Sequence, residues 1–134
     1  ESLLRNMVAS QSGVEDFDQL PIPFRAVATD LRSGDVVVFG AGDLPLALRA
    51  SMSVPGVFAP VALGDQLLVD GGIKRNLPVD VARETCADVV IAVAVTGEER
   101  SSESMRTATG SLTRMVEILI KGNEAGSLAS LGPE

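Results

Sequence analysis

Asp70 follows the apolar run Leu67-Leu68-Val69 and is followed by Gly71 and Gly72. This pattern predicts a buried strand that ends on a carboxylate, with two glycines letting the chain turn sharply beside it. Strand ends of this kind are where α/β proteins place chemistry. Two readings of Asp70 stand at this point. It can shape a turn by hydrogen-bonding its own backbone, as Asp-Gly pairs commonly do. Alternatively, an ionised carboxylate within reach of a Ser hydroxyl can serve as a general base for nucleophilic attack. The 134 residues contain no His, so a Ser-His-Asp triad and most transition-metal sites are excluded among them. No metal site or cofactor is expected.

The remaining candidates carry weaker signals. There is no G-x-S-x-G elbow, and the nearest serines, Ser51 and Ser53, lack flanking glycines; helix termination and local backbone bonding suit them better. Gly40 and Gly42 form a bare G-x-G without the rest of a dinucleotide fingerprint and read as a loop. Asp30 also ends an apolar run and can bind a polar ligand or metal, but a turn role is the preferred reading. A phosphoacceptor or metal-binding role for Asp70 finds no accompanying acidic cluster or Lys.

The elements that must position Asp70 follow from composition and periodicity. Hydrophobic residues make up 46% of the chain and aromatics 3%, with no Trp or Tyr, so the core rests on Val, Leu, Ile and Ala. That favours a buried parallel or mixed sheet covered by helices. A helix end is expected over 2–8, a polar loop over 11–20, and a strand over 24–29. The Ser33-Gly34 turn then leads into a second, antiparallel strand at 36–39. Asp43 caps a short helix with Pro45 in its first turn and Leu44, Ala47, Leu48 and Ser51 on its inner face. A hairpin of 61–63 with 66–69 delivers Asp70. Pro78 starts a helix running to about Cys86, itself a small buried apolar residue. Residues 89–95, rich in Val and Ile, read as a central buried strand. A mobile loop is expected over 97–104, then an amphipathic helix from about Thr107 carrying Leu112, Met115, Val116, Leu119 and Ile120.

The net charge of −7 argues against a nucleic-acid partner, which needs clustered Lys and Arg to neutralise phosphates. Peripheral membrane contact through an apolar rim stays open. The longest uncharged stretch, 50–64, contains Pro55, Gly56 and Pro60 and cannot form a spanning helix.

Three motifs occur in a specific order: Phe24-Arg25-Ala26-Val27-Ala28-Thr29-Asp30-Leu31, Ala50-Ser51-Met52-Ser53-Val54-Pro55-Gly56-Val57-Phe58-Ala59-Pro60 and Val69-Asp70-Gly71-Gly72-Ile73. With Asn76-Leu77-Pro78-Val79 and the run 89–95, the sequence resembles bacterial patatin-like phospholipases, most strongly over residues 16–97. The resemblance implies a three-layer α/β sandwich with a mixed, mostly parallel sheet. It also implies a lipid acyl hydrolase, a phospholipase, lysophospholipase or carboxylesterase, built on a Ser-Asp dyad. Asp70 is then the base, and Gly71 and Gly72 shape the backbone beside it.

The family's Ser elbow and oxyanion loop have no counterpart here, so the chain is expected to be the Asp-bearing C-terminal part of that domain, incomplete on its N-terminal side and inactive alone. Uncovered apolar faces are then expected to favour self-association; no oligomeric state follows. The segment 54–61 either borders an acyl pocket or packs as ordinary core. A cytoplasmic, membrane-peripheral location is expected, with a lipid or ester as substrate. The alternative from another class is a non-catalytic α/β binding or regulatory module in which Asp70 only shapes a turn.

Overall fold

The computed structural model describes residues 2–11, 13–85, 87–95 and 106–129. Strands Ala26–Asp30 (β1), Val36–Phe39 (β2), Val61–Leu63 (β3) and Gln66–Asp70 (β4) form a sheet in the order β2-β1-β4-β3. Helices Ser2–Met7 (α1), Leu44–Ser51 (α2), Gly72–Arg75 (α3), Val79–Glu84 (α4) and Ala108–Ala129 (α5) complete the described α/β architecture.

The sheet is two hairpins joined side by side. β1 pairs with β2 and β3 with β4; β1 and β4 join the hairpins, with Ala28 opposite Asp70 and Thr29 opposite Val69. Every strand pair among the described residues is antiparallel, where a mostly parallel sheet was expected. Within each hairpin the cause is connection length. The turn at 31–35 and the Gly64-Asp65 turn are too short for the crossover that parallel neighbours require.

β1 is buried along its whole length because it lies between two strands and is covered on both faces. On one face Ala26 and Ala28 meet α2, where Ala47 and Ala50 are fully buried. Small side chains on both surfaces let helix and sheet pack closely, and Phe17, Leu44 and Leu68 fill the remaining volume. Asp43 caps α2 as expected: its Oδ1 accepts from the Leu46 N–H at 3.0 Å, with a proline in the first turn. A cap of this kind stabilises a helix by about 1 kcal/mol.

The polar stretch 11–20, expected to be a loop, contains a core anchor. Phe17 is completely buried in a short 3-10 turn, its N–H bonded to the Gly40 carbonyl at 2.8 Å and its ring 6.3 Å from that of Phe24. A single aromatic in a polar context carries no periodicity, so only the tertiary packing reveals it.

Residues 89–95 depart most from expectation. They form no strand; Val89, Ile91, Val93 and Val95 are 71–85% exposed. β-branched side chains favour extended backbone, but a strand also needs a neighbour to take its N–H and C=O groups. Among the described residues none lies beside this one. α5 is present where periodicity put it, yet the buried residues on it are Thr113 and Val116, while Leu112, Met115 and Leu119 are exposed. The expected helix end at Cys86 and the loop 97–104 lie outside the described residues. Among those described, no helix is long and apolar enough to cross a membrane.

Candidate functional site

Asp70 is the last residue of β4, and α3 begins two residues later. Its backbone N–H donates to the Ser53 carbonyl at 3.0 Å, tying the strand end to the loop after α2. Its carboxylate Oδ1 accepts from the Gly72 N–H at 2.7 Å. Among the described residues Oδ2 makes no hydrogen bond. One oxygen therefore shapes the turn and the other is available to a reacting group. The carboxyl is half-buried, and this desolvation pushes its pKa above the ordinary Asp value, against the opposing pull of the Gly72 N–H.

Gly71 and Gly72 are needed for space rather than for a left-handed backbone. Gly71 has φ −67° and ψ −23°, ordinary helical values. A Cβ on Gly71 would collide with the Val27 carbonyl oxygen and lie 2.6 Å from its carbonyl carbon. On Gly72 it would lie 2.8 Å from Asn76 Oδ1 and 2.9 Å from Asp70 Oδ1. The chain thus passes directly over the backbone of β1 and, where a sharp turn was expected from the two glycines, enters the short helix α3.

Asp70 lines a cleft of about 610 Å³ together with Val54, Asn76, Val93, Val95 and the α5 residues Arg114, Glu117, Ile120, Lys121 and Glu124. α5 is fastened over it by two side-chain bonds: Asn76 Nδ2 donates to Glu124 Oε1, and Asn123 Nδ2 donates to the Ile73 carbonyl. No local sequence signal marks Asn123, and none marks Asn76 beyond its place in a motif. Of the segment 54–61, Val54 borders the cleft while residues 57–60 are exposed.

The side chains of the other candidates do not line this cleft. Ser53 is fully buried, its Oγ donating to the Arg49 carbonyl at 2.6 Å and accepting from the Arg49 guanidinium. That hydroxyl is committed to structure, and Ser51 is the last residue of α2. Gly40 and Gly42 bond through their backbones to Phe17 and Glu15, which makes the G-x-G a structural loop. Among the described residues no group of acidic or thiol side chains is arranged to hold a metal.

Asp30 is a buried turn residue. Its carboxylate accepts from the Leu67 N–H at 3.0 Å, the Arg32 N–H at 3.1 Å and the Ser33 hydroxyl at 3.2 Å. The Leu67 bond contributes most to a pKa below the ordinary Asp value. A depressed folded-state pKa stabilises the fold above the unfolded value near 3.9, an advantage lost as pH falls through the folded pKa. Asp30→Asn is therefore expected to lower the thermal midpoint at pH 6, with the gap to the parent narrowing at pH 3. A gap that stays constant between the two pH values would overturn this assignment.

A family model for patatin-like phospholipases matches residues 2–83, which include both hairpins, Asp70 and its glycines. The chain belongs to the patatin-like phospholipase family. It is 47% identical over 103 residues to an uncharacterized NTE family protein of Mycobacterium tuberculosis strain H37Rv, covering 74% of this chain and 28% of that protein. A second NTE family protein of the same strain is 45% identical over 71 residues, 53% of this chain and 12% of that protein. The mouse patatin-like phospholipase domain-containing protein 7 is 41% identical over 80 residues, 58% of this chain and 6% of that protein. The chain thus spans little more than a quarter of the length of the most fully covered of these family members.

Proposed function

We propose that this chain is the Asp-bearing part of a serine lipid acyl hydrolase, a phospholipase, lysophospholipase or carboxylesterase, with Asp70 as the general base of a Ser-Asp dyad. The observation that carries this reading is the divided role of the Asp70 carboxylate. Oδ1 is held by the Gly72 N–H, and Oδ2 is uncommitted beside a cleft of substrate size. In the native-length protein a Ser outside these 134 residues supplies the nucleophile. Asp70 Oδ2 accepts its proton as the hydroxyl oxygen attacks the ester carbonyl, backbone N–H groups stabilise the oxyanion, and the alcohol leaves with a proton. Water then attacks the acyl-enzyme and releases the fatty acid. The apolar Val54, Val93, Val95 and Ile120 of the cleft suit an acyl chain, and peripheral contact with a lipid surface supplies the substrate.

Fluorophosphonate labelling of the native-length protein tests the reading. A single modified Ser, absent when only the present 134 residues are treated, is the expected result. No labelling of the native-length protein would favour the competing assignment, a non-catalytic binding or regulatory module. The Gly72 bond is the observation on which that alternative draws.

A further inference from the structure

Arg49 lies on α2, away from the cleft, yet its guanidinium makes three contacts with the loop that follows the helix. It donates to Ser53 Oγ, donates to the Ala59 carbonyl at 3.1 Å, and stacks over the Phe58 ring with its carbon 5.2 Å from the centroid. Ser53 Oγ in turn donates to the Arg49 carbonyl at 2.6 Å. The hydroxyl is thus held from both sides in a fully buried position. The same Ser53 presents its carbonyl to the Asp70 N–H at 3.0 Å, and the next residue, Val54, lines the Asp70 cleft.

We infer that Arg49 is a positioning residue for Asp70, acting as a strut that fixes the 53–59 loop and, through the Ser53 carbonyl, the end of β4. This rests on the dyad reading for its catalytic consequence but not for its structural one. A planar guanidinium suits the task because two of its nitrogens reach separate oxygens while its face covers an aromatic ring. A Lys ammonium at this position can reach one oxygen at a time. Without the strut, Ser53 Oγ loses a charged donor, and the loop keeps only its backbone bonds and the Ser53 hydroxyl bond to the residue-49 carbonyl. Carboxylate placement then loosens by the fraction of an ångström to which general-base catalysis is sensitive.

The test uses the native-length protein with Arg49→Met, which keeps an apolar stem over Phe58, and Arg49→Lys. Amide hydrogen exchange is the first readout. Arg49→Met is expected to lower protection of the Asp70 amide about 10-fold while leaving the β1 amides of Val27 and Ala28 unchanged. Ester hydrolysis on a p-nitrophenyl ester is the second. Arg49→Met is expected to lower kcat about 10- to 100-fold with KM within about threefold, and Arg49→Lys to recover part of that loss. Unchanged Asp70 protection in Arg49→Met would overturn the strut. So would protection lost equally at Val27 and Ala28, which marks a general loss of fold. Lost Asp70 protection with an unaltered kcat would overturn the positioning role. A parent that neither labels nor hydrolyses would sink the dyad and this catalytic consequence with it, while hydrogen exchange still decides the strut.

Discussion

Asp70→Asn in the native-length protein is expected to reduce kcat/KM about a thousand-fold, the range associated with loss of a positioned general base. The substitution is nearly isosteric, and the amide oxygen can still accept from the Gly72 N–H, so the turn is retained while the proton acceptor is lost. Stability should not fall with activity. Burial raises the carboxyl pKa in the folded state, so the ionised form opposes folding. That opposition grows as pH rises above the unfolded value near 3.9 and is complete above the folded pKa. Asp70→Asn removes it, so the variant should unfold at or above the parent's midpoint at pH 7 and match it near pH 3. The parent's activity should fall on acidification with an inflection above the ordinary Asp value, since the base must be ionised. Activity of Asp70→Asn within about threefold of the parent would end the general-base assignment.

The two glycines after Asp70 should separate stability from chemistry. Gly71→Ala is expected to destabilise the fold by about 3 kcal/mol, at the upper end of ordinary overpacking. The obstacle is the Val27 carbonyl, backbone belonging to the central strand β1, which cannot move without disturbing its ladder. Gly72→Ala meets side-chain ends instead, Asn76 Oδ1 and Asp70 Oδ1. These can rotate away, so its expected cost is about 1 kcal/mol or less, whereas activity falls because the displaced group includes the proposed base. Urea unfolding and ester hydrolysis measured on both variants check the contrast. Equal destabilisation by the two substitutions would contradict the steric account.

Local patterns made much of this legible. The strand leading to Asp70, the Asp43 cap, both hairpin turns and the period of α5 are all written in residues close together in the chain. What escaped depends on partners distant in sequence. Arg49 falls off the apolar face of α2, and nothing near it announces that it reaches forward to Ala59 and Phe58. Asn76 and Asn123 fasten α5 over the cleft through contacts about fifty residues apart. Periodicity found α5 and the buried Val116 but missed Thr113, a polar residue whose hydroxyl donates to the Thr109 carbonyl at 2.9 Å and so can be buried. The run 89–95 shows the same limit from the other side: its side chains favour a strand, but a ladder requires a neighbour. In the sequence the glycines beside Asp70 signal only a turn, whereas at Gly71 the closeness of β1 is what excludes a side chain.

The placement of Asp70 has unequal tolerance to changes in chain length. The Gly64-Asp65 turn lies outside the β1–β4 seam, whereas the turn after β1 is tied to it, the Leu31 N–H donating to the Leu67 carbonyl at 2.8 Å. Doubling a flexible connection costs only about 0.6 kcal/mol in closure entropy. Residues inserted at Gly64-Asp65 leave the pairing of Ala28 with Asp70 intact. A single residue inserted between Leu67 and Asp70 acts differently, since a one-residue slip turns every following side chain to the opposite face of the sheet. Related sequences can therefore vary in length at the Gly64-Asp65 turn, while the count of residues along β4 is fixed by the face on which the carboxylate must emerge.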